Sequence, residues 1–239
     1  MFALEGVSRR FGATVALEEV SLRVEAGEFV AVLGPSGCGK STLLRLIAGL
    51  ERADGGVVRW DAGRPAPGGI GFVFQDATLL PWASALDNVR LPLRIRGSGG
   101  RREAAAALER VGLGGFLGAR PAALSGGMRM RVSLARALVS RPVAMLFDEP
   151  FAALDGFTRE GLQEELRGLV GGGRSAVFVT HSVHEAAYLA DRIVLMTPRP
   201  GRVLGVIASP LGEGDRRLDP AYAGLVAEIT GRLRAAQVI

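Results

Sequence analysis

Apolar and polar residues alternate from Phe2 to Val7 and again from Ala16 to Val24, the period of strands with one face on a core. Phe29 to Leu33 is instead a continuous apolar run, as expected of a strand buried on both faces. Val143–Phe147 is another such run, and further strands are read at Phe72-Val73-Phe74, Ser175–Thr180, Ile193–Met196 and Val203–Ala208, with a short one at Val57–Trp60. Helical spacing takes over in Leu43–Ala48, Arg101–Val111, Arg129–Val139 and Thr158 to about Val170. Asp219-Pro220 opens a terminal helix over about 219–237 whose Tyr222, Leu225, Val226, Ile229 and Leu233 share a face. Gly- and Pro-rich turns separate these elements, at Ala26-Gly27-Glu28, Asp54-Gly55-Gly56, Gly63 to Gly69, Gly97 to Gly100 and Pro198 to Arg202. Strands alternating with helices predict an α/β fold with a mixed sheet core, an antiparallel β portion at the N-terminus, and a helical insertion over about 84–123.

A chain of 239 residues and 25.0 kDa suits one such domain, residues 1–239, with a sizeable core. Its single Cys38 forms no intrachain disulfide and no signal-like segment opens the chain, so a reducing cytosolic setting is expected. No stretch approaches the length of apolar sequence that crosses a bilayer, so any work at a membrane is peripheral. The net charge of +5 comes from scattered arginines such as Arg9-Arg10, Arg101-Arg102 and Arg216-Arg217, read as solvated faces. With aromatic content of 6 % and no interleaving of aromatic and basic residues, a nucleic-acid partner is not expected.

The chemistry concentrates after the Phe29–Leu33 run. Gly34-Pro35-Ser36-Gly37-Cys38-Gly39-Lys40-Ser41-Thr42 fits G-x-x-x-x-G-K-[ST] between a strand and a helix start. The glycines let backbone N–H groups converge on phosphate oxygens, and the helix N-terminus adds positive potential. Lys40 would reach the β- and γ-phosphates and the Ser41 hydroxyl would ligate Mg²⁺.

Other candidates lie at element ends. Val143–Phe147 delivers Asp148-Glu149 at a strand's C-terminal end, where parallel sheets place their ligands. Asp148 would hold Mg²⁺ through water and Glu149 would orient or deprotonate an attacking water. Ser125-Gly126-Gly127 at a helix start is either an anion-binding nest or a plain N-cap. Phe11 is a core or edge aromatic, or a ring on which adenine stacks. His181 ends the Ser175–Thr180 strand, where an imidazole could contact a γ-phosphate. Leu79-Leu80-Pro81-Trp82 is an apolar loop that either tucks under or presents a docking surface.

Taken together, Gly34–Thr42, Gln75, Leu124–Met128, Met145–Pro150, Asp155 and His181 resemble the ATP-binding subunits of ABC transporters, in order and at ordinary spacing. The resemblance implies the P-loop NTPase fold of ABC ATPase type and an ATPase coupled to transmembrane transport. It assigns Phe11 to adenine stacking, Gln75 to a loop touching Mg²⁺ and the membrane partner, and His181 to sensing the γ-phosphate. Asp155 joins the ATP-binding set. Ser125, Gly126 and Gly127 become the signature that completes the site of a second copy. Catalytic roles fall on Glu149, His181 and Lys40, and Mg²⁺ on Ser41, Gln75 and Asp148.

Phe74-Gln75-Asp76, Leu79–Trp82, Ser125–Arg129, Pro150–Asp155 and Arg199-Pro200-Gly201-Arg202 look like the importers of nitrate, sulfonate, taurine and related small anions. That subfamily implies integral membrane permease subunits as partners, indirectly a periplasmic or extracytoplasmic solute-binding protein, and a place on the cytoplasmic face of the plasma membrane. Phe11 stands where many relatives carry Tyr, and Met128 and Met130 stand where many carry Gln; the Ser hydroxyl and Gly backbone of the signature are kept.

Two other classes compete with that reading. Non-transport ATPases of the superfamily with long coiled coils need more chain than lies between Lys40 and Ser125. A nucleotide-binding regulator without turnover would be expected to lack the carboxylate at Glu149.

Overall fold

The computed structural model describes residues 1–152, 154–170, 173–212 and 214–238. In chain order come β1 (Phe2–Phe11), β2 (Thr14–Val24), β3 (Phe29–Leu33), α1 (Lys40–Ala48) and β4 (Gly55–Trp60). Then follow β5 (Ile70–Val73), α2 (Ala85–Ile95), α3 (Arg101–Arg110), α4 (Gly126–Leu138), β6 (Ala144–Asp148) and α5 (Gly156–Val170). The chain continues with β7 (Ser175–Thr180), α6 (Val183–Leu189), β8 (Arg192–Met196), β9 (Val203–Ala208) and α7 (Tyr222–Ala235). Contacts divide it into two units, Met1–Arg64 with Gly172–Ile239, and Pro65–Gly171.

The first unit contains two sheets. In one, β1 runs antiparallel between β2 and β4, with Phe2, Leu4, Val7, Leu17, Val20, Leu22 and Val24 buried. Both long strands outrun their alternating stretches. Arg9, Arg10 and Phe11 extend β1 to a tight hairpin with Phe11 opposite Thr14, so strand continues past the alternating stretch. The pairing of main-chain groups, which side-chain period does not report, sets that length.

In the other sheet, β3 lies between β7 and β8, parallel to both, and β9 closes the edge antiparallel to β8. Every residue of β3 and β7 is buried, the polar ends Ser175 and Thr180 of β7 included. Leu33 is level with Thr180 and Leu195, so the segments after β3, β7 and β8 leave the sheet at one end. Helix α7 buries Leu225, Ile229 and Leu233, while Tyr222 and Val226 sit at the margin of that face.

One charge reading changes. Arg216 is only 3 % exposed and donates to Ala190 O at 2.5 Å and Asp191 Oδ1 at 2.9 Å. It is a structural cation holding the end of α6, since a buried guanidinium is tolerated only with such partners.

The second unit places β5 parallel to β6, with Val73 level with Phe147, and packs α2, α3 and α4 on one another. Helices α2 and α3 occupy the stretch read as a helical insertion. Ser84 caps α2 by accepting from Asp87 N at 3.1 Å.

Candidate active site

In the first unit, the chain leaves β3 at Leu33 and turns through Gly34–Gly39 into α1. Gly39 caps that helix at φ 102°, and a Cβ there would lie 2.7 Å from both Ala16 O and Leu17 Cδ2. Only glycine combines that backbone with that proximity. The loop folds around the Lys40 side chain, which is buried and donates Nζ to Gly34 O at 2.8 Å and Pro35 O at 2.9 Å. Ser36 and Gly37 are exposed, Ser41 and Thr42 are half-buried, and Cys38 is buried. The first turn of α1 carries no acidic residue. A cation, a helix N-terminus and a bent backbone therefore bring positive potential to one loop, the arrangement that binds phosphate.

His181 is exposed in the turn after β7, and its neighbours fix that turn. Thr180 Oγ1 donates to Glu185 Oε2 at 2.5 Å and accepts from Ser182 N at 3.0 Å, while Ser182 Oγ caps α6 by accepting from Glu185 N. Glu185 is buried, and its part in holding this turn was missed. The Ser182-x-x-Glu185 spacing of a capping box was the signal that could have found it.

Phe11 lies at the hairpin tip, 44 % exposed, with the Arg9 guanidinium 4.6 Å from its ring centroid. Arg9 is itself held by Glu51 at 2.9 Å and Asp54 at 3.0 Å. The Arg10 main-chain N–H, at 2.7 Å, and then Arg9 keep the Asp54 carboxyl below the usual aspartate range. One face of the ring is braced by a cation, and the exposed ring suits stacking on a flat base.

In the second unit, the parallel pairing of β5 and β6 brings Gln75 and Asp148-Glu149 out at the same end. Gln75 is exposed, and Asp148 is 7 % exposed. Glu149 has φ 46°, an uncommon conformation for a residue with a side chain, of the kind that concentrates at functional sites. Ser125 caps α4 by accepting from Met128 N at 3.2 Å, so the N-cap reading is met. The Ser125 and Gly126 positions are nonetheless exposed at the helix start, while Gly127 packs against Thr158. Asp155 is exposed and accepts from Thr158 N at 3.0 Å, and that N–H, with the Thr158 hydroxyl, lowers its pKa. Phe157 beside it is 94 % exposed. Of the Pro150–Asp155 stretch, Ala153 lies outside the described residues.

The apolar loop divides. Leu79 and Leu80 are half-buried, whereas Trp82 is 71 % exposed. The loop is held by two residues that sequence reading missed. Asn88 on α2 is fully buried, with Oδ1 accepting from Leu80 N at 2.7 Å and Nδ2 donating to Leu80 O, Ala83 O and Ser84 O at 3.0–3.2 Å. Arg136 on α4 donates to Ala77 O and Thr78 O, both at 2.8 Å, and burial lowers its pKa. Neither has a motif of its own.

Among the described residues no cluster of His, Cys, Asp and Glu forms a metal site by itself. Ser41 in the first unit and Asp148 in the second each offer a hard oxygen donor of the kind Mg²⁺ takes together with phosphate oxygens. No helix among the described residues is long and apolar enough to cross a membrane.

The family model described as ABC transporter matches residues 17–152. An aliphatic sulfonates import ATP-binding protein of Pseudomonas syringae is 43 % identical over 234 residues, covering 97 % of this chain and 95 % of the relative. A taurine import ATP-binding protein of Chromobacterium violaceum is 48 % identical over 217 residues, covering 88 % of this chain and 83 % of the relative. A solved dimeric ATP-binding cassette in a post-hydrolysis state, bound to ADP and Pi, superposes with a TM-score of 0.75 at 35 % identity, over 87 % of this chain and 98 % of that one.

Proposed function

The chain belongs to the ABC transporter ATP-binding family, and from that premise we propose that it hydrolyses ATP between two copies of itself and so drives a separate membrane permease importing a sulfonate, taurine or a related small anion. The observation that carries this reading is the phosphate loop, with its buried Lys40 and its Gly39 cap on α1.

Residues 1–239 act as one ATPase domain, with 84–123 as its helical insertion and 219–237 as its terminal helix. Phe11 stacks on adenine. Main-chain N–H groups of Gly34–Thr42 and the Lys40 ammonium hold the phosphates. Ser41, Gln75 and Asp148 would hold Mg²⁺, which would supply charge neutralisation to the phosphates. Glu149 takes a proton from a water whose oxygen bonds to the γ-phosphorus as the bond to the β–γ bridging oxygen breaks. His181 donates to a γ-phosphate oxygen, and the Thr180–Glu185 hydrogen bond keeps its turn in place. Such catalysis is mostly positioning and charge neutralisation.

Ser125–Gly127 and Asp155 face the phosphate loop of the second copy, so each loop is half a site and closure requires ATP. Exposed Ser125, Gly126 and Phe157 support that reading. The permease docks at Trp82, which places the subunit peripherally on the cytoplasmic face of the membrane, and a solute-binding protein delivers cargo on the other side. Nucleic acid has no part in it.

The test is Glu149→Gln. Its turnover should fall by about a hundredfold or more, and with ATP and Mg²⁺ it should accumulate as a dimer in size-exclusion chromatography with light scattering. Unchanged turnover, or a strict monomer, would count against the reading.

A further inference from the structure

Arg199, in the turn between β8 and β9, donates from Nε and Nη2 to the carbonyl oxygen of Gly37, at 3.1 and 2.8 Å. Gly37 belongs to the phosphate loop, far away in sequence. The turn that carries Arg199 is closed on itself: Thr197 N donates to Arg202 O, Thr197 Oγ1 donates to Pro200 O, and Arg202 N donates to Thr197 Oγ1, each at 3.0 Å. It is also tied to β2, where Gly201 N donates to Ala16 O, Glu18 N donates to Gly201 O, and Arg202 pairs with Glu18 at 2.7 Å. Gly201 is buried against the loop so closely that a Cβ there would overlap Cys38 O. The turn and the loop therefore meet backbone to backbone, with one cationic side chain reaching across.

A trans peptide puts its C=O and N–H on opposite edges. In the Gly37–Cys38 peptide the C=O is held by Arg199 while Cys38 N–H points into the loop, where it donates to Pro35 O at 3.3 Å. That interior is also where the Lys40 ammonium lies. Fixing the carbonyl outward fixes the N–H inward, and a guanidinium on the carbonyl polarises the peptide so that its N–H donates more strongly.

We propose that Arg199 is a positioning residue for the phosphate loop, and that the Thr197–Arg202 turn is a strap holding the Gly37–Cys38 peptide in the orientation that presents Cys38 N–H to a triphosphate. This rests on Gly34–Thr42 being the ATP loop. Arg199 is on the surface, so removing its side chain leaves the core intact, and its effect belongs to nucleotide binding rather than to stability.

The experiment uses the full chain with ATP and Mg²⁺, measuring Kd, KM, kcat and melting temperature for wild type, Arg199→Ala, Arg199→Lys and Gly201→Ala. Losing a charge-assisted hydrogen bond to the loop should raise Kd and KM for ATP about tenfold in Arg199→Ala, with kcat within about threefold and the melting temperature unchanged. Arg199→Lys, which keeps a cationic donor, should fall between, and Gly201→Ala, which pushes the strap off Cys38, should move KM in the same direction. Kd and KM within twofold of wild type in Arg199→Ala overturn the proposal, as does a loss of kcat at constant KM. A wild-type chain that binds no ATP overturns the reading of the loop itself, which keeps the two failures distinct.

Discussion

The carboxamide of Asn88 grips the main chain of Leu80 on both sides, accepting from its N–H at 2.7 Å and donating to its carbonyl at 3.2 Å. Asn88 is fully buried, so Asn88→Ala would leave the main chain of half-buried Leu80 without its side-chain partner. A destabilisation of about 2–3 kcal/mol follows. Urea unfolding of the two proteins measures it, and a difference below about 0.5 kcal/mol would show that the amide contributes little.

Trp82, on the same loop, is 71 % exposed. Trp82→Ser should change stability by no more than about 0.5 kcal/mol, while removing the apolar anchor available to the permease. Co-purification of the tagged chain with its permease should be lost and ATP binding kept. Full assembly would move the docking surface elsewhere. Leu80 is a poorer probe, because it is half-buried and its loss would mix folding with docking.

Gly39 is the most constrained residue of the phosphate loop. Gly39→Ala must fit a Cβ 2.7 Å from Ala16 O while holding φ 102°, and strain of that kind costs about 1–3 kcal/mol. Part of that cost relaxes by moving the loop, so ATP affinity should drop by at least about tenfold. Isothermal titration with ATP and Mg²⁺ reads the change; affinity equal to wild type would mean that the loop does not need this backbone.

Asp155 makes acid stability a test of its local role. The Thr158 N–H and hydroxyl lower its pKa in the folded chain, below the ordinary aspartate value of about 3.9. A depressed carboxylate stabilises the fold above the unfolded value, and that contribution is lost as pH falls through the folded value. Asp155→Asn should therefore show a shallower fall in melting temperature between about pH 5 and pH 3 than wild type. Superimposable profiles would remove Asp155 from the acid response.

Much of this protein was legible in the order of its residues. The runs Phe29–Leu33 and Val143–Phe147 read as buried strands because continuous apolar stretches of that length are stable only when covered on both faces, and all of these residues but Val143, 48 % exposed just before β6, are buried. Gly34–Thr42 spelled out a phosphate loop because its chemistry is local: glycine for backbone freedom, lysine for charge, and a helix to follow. What the tertiary structure decided is which polar side chains hold those parts. Asn88 and Arg136 look like ordinary surface residues in a sequence, Glu185 shows only through its capping-box spacing and Arg199 only through the resemblance of its turn, and three of the four act by grasping main-chain groups, at Leu80, Ala77 and Gly37. Glu185 instead anchors a hydroxyl, that of Thr180. Main-chain groups carry no sequence identity, so a bond to one leaves no pattern to read, and the donor and acceptor become partners only when the fold brings them together. Gly39 could be picked out by its motif, but the reason it must be glycine is the approach of Ala16 and Leu17 from another strand, and the chain alone does not state that approach.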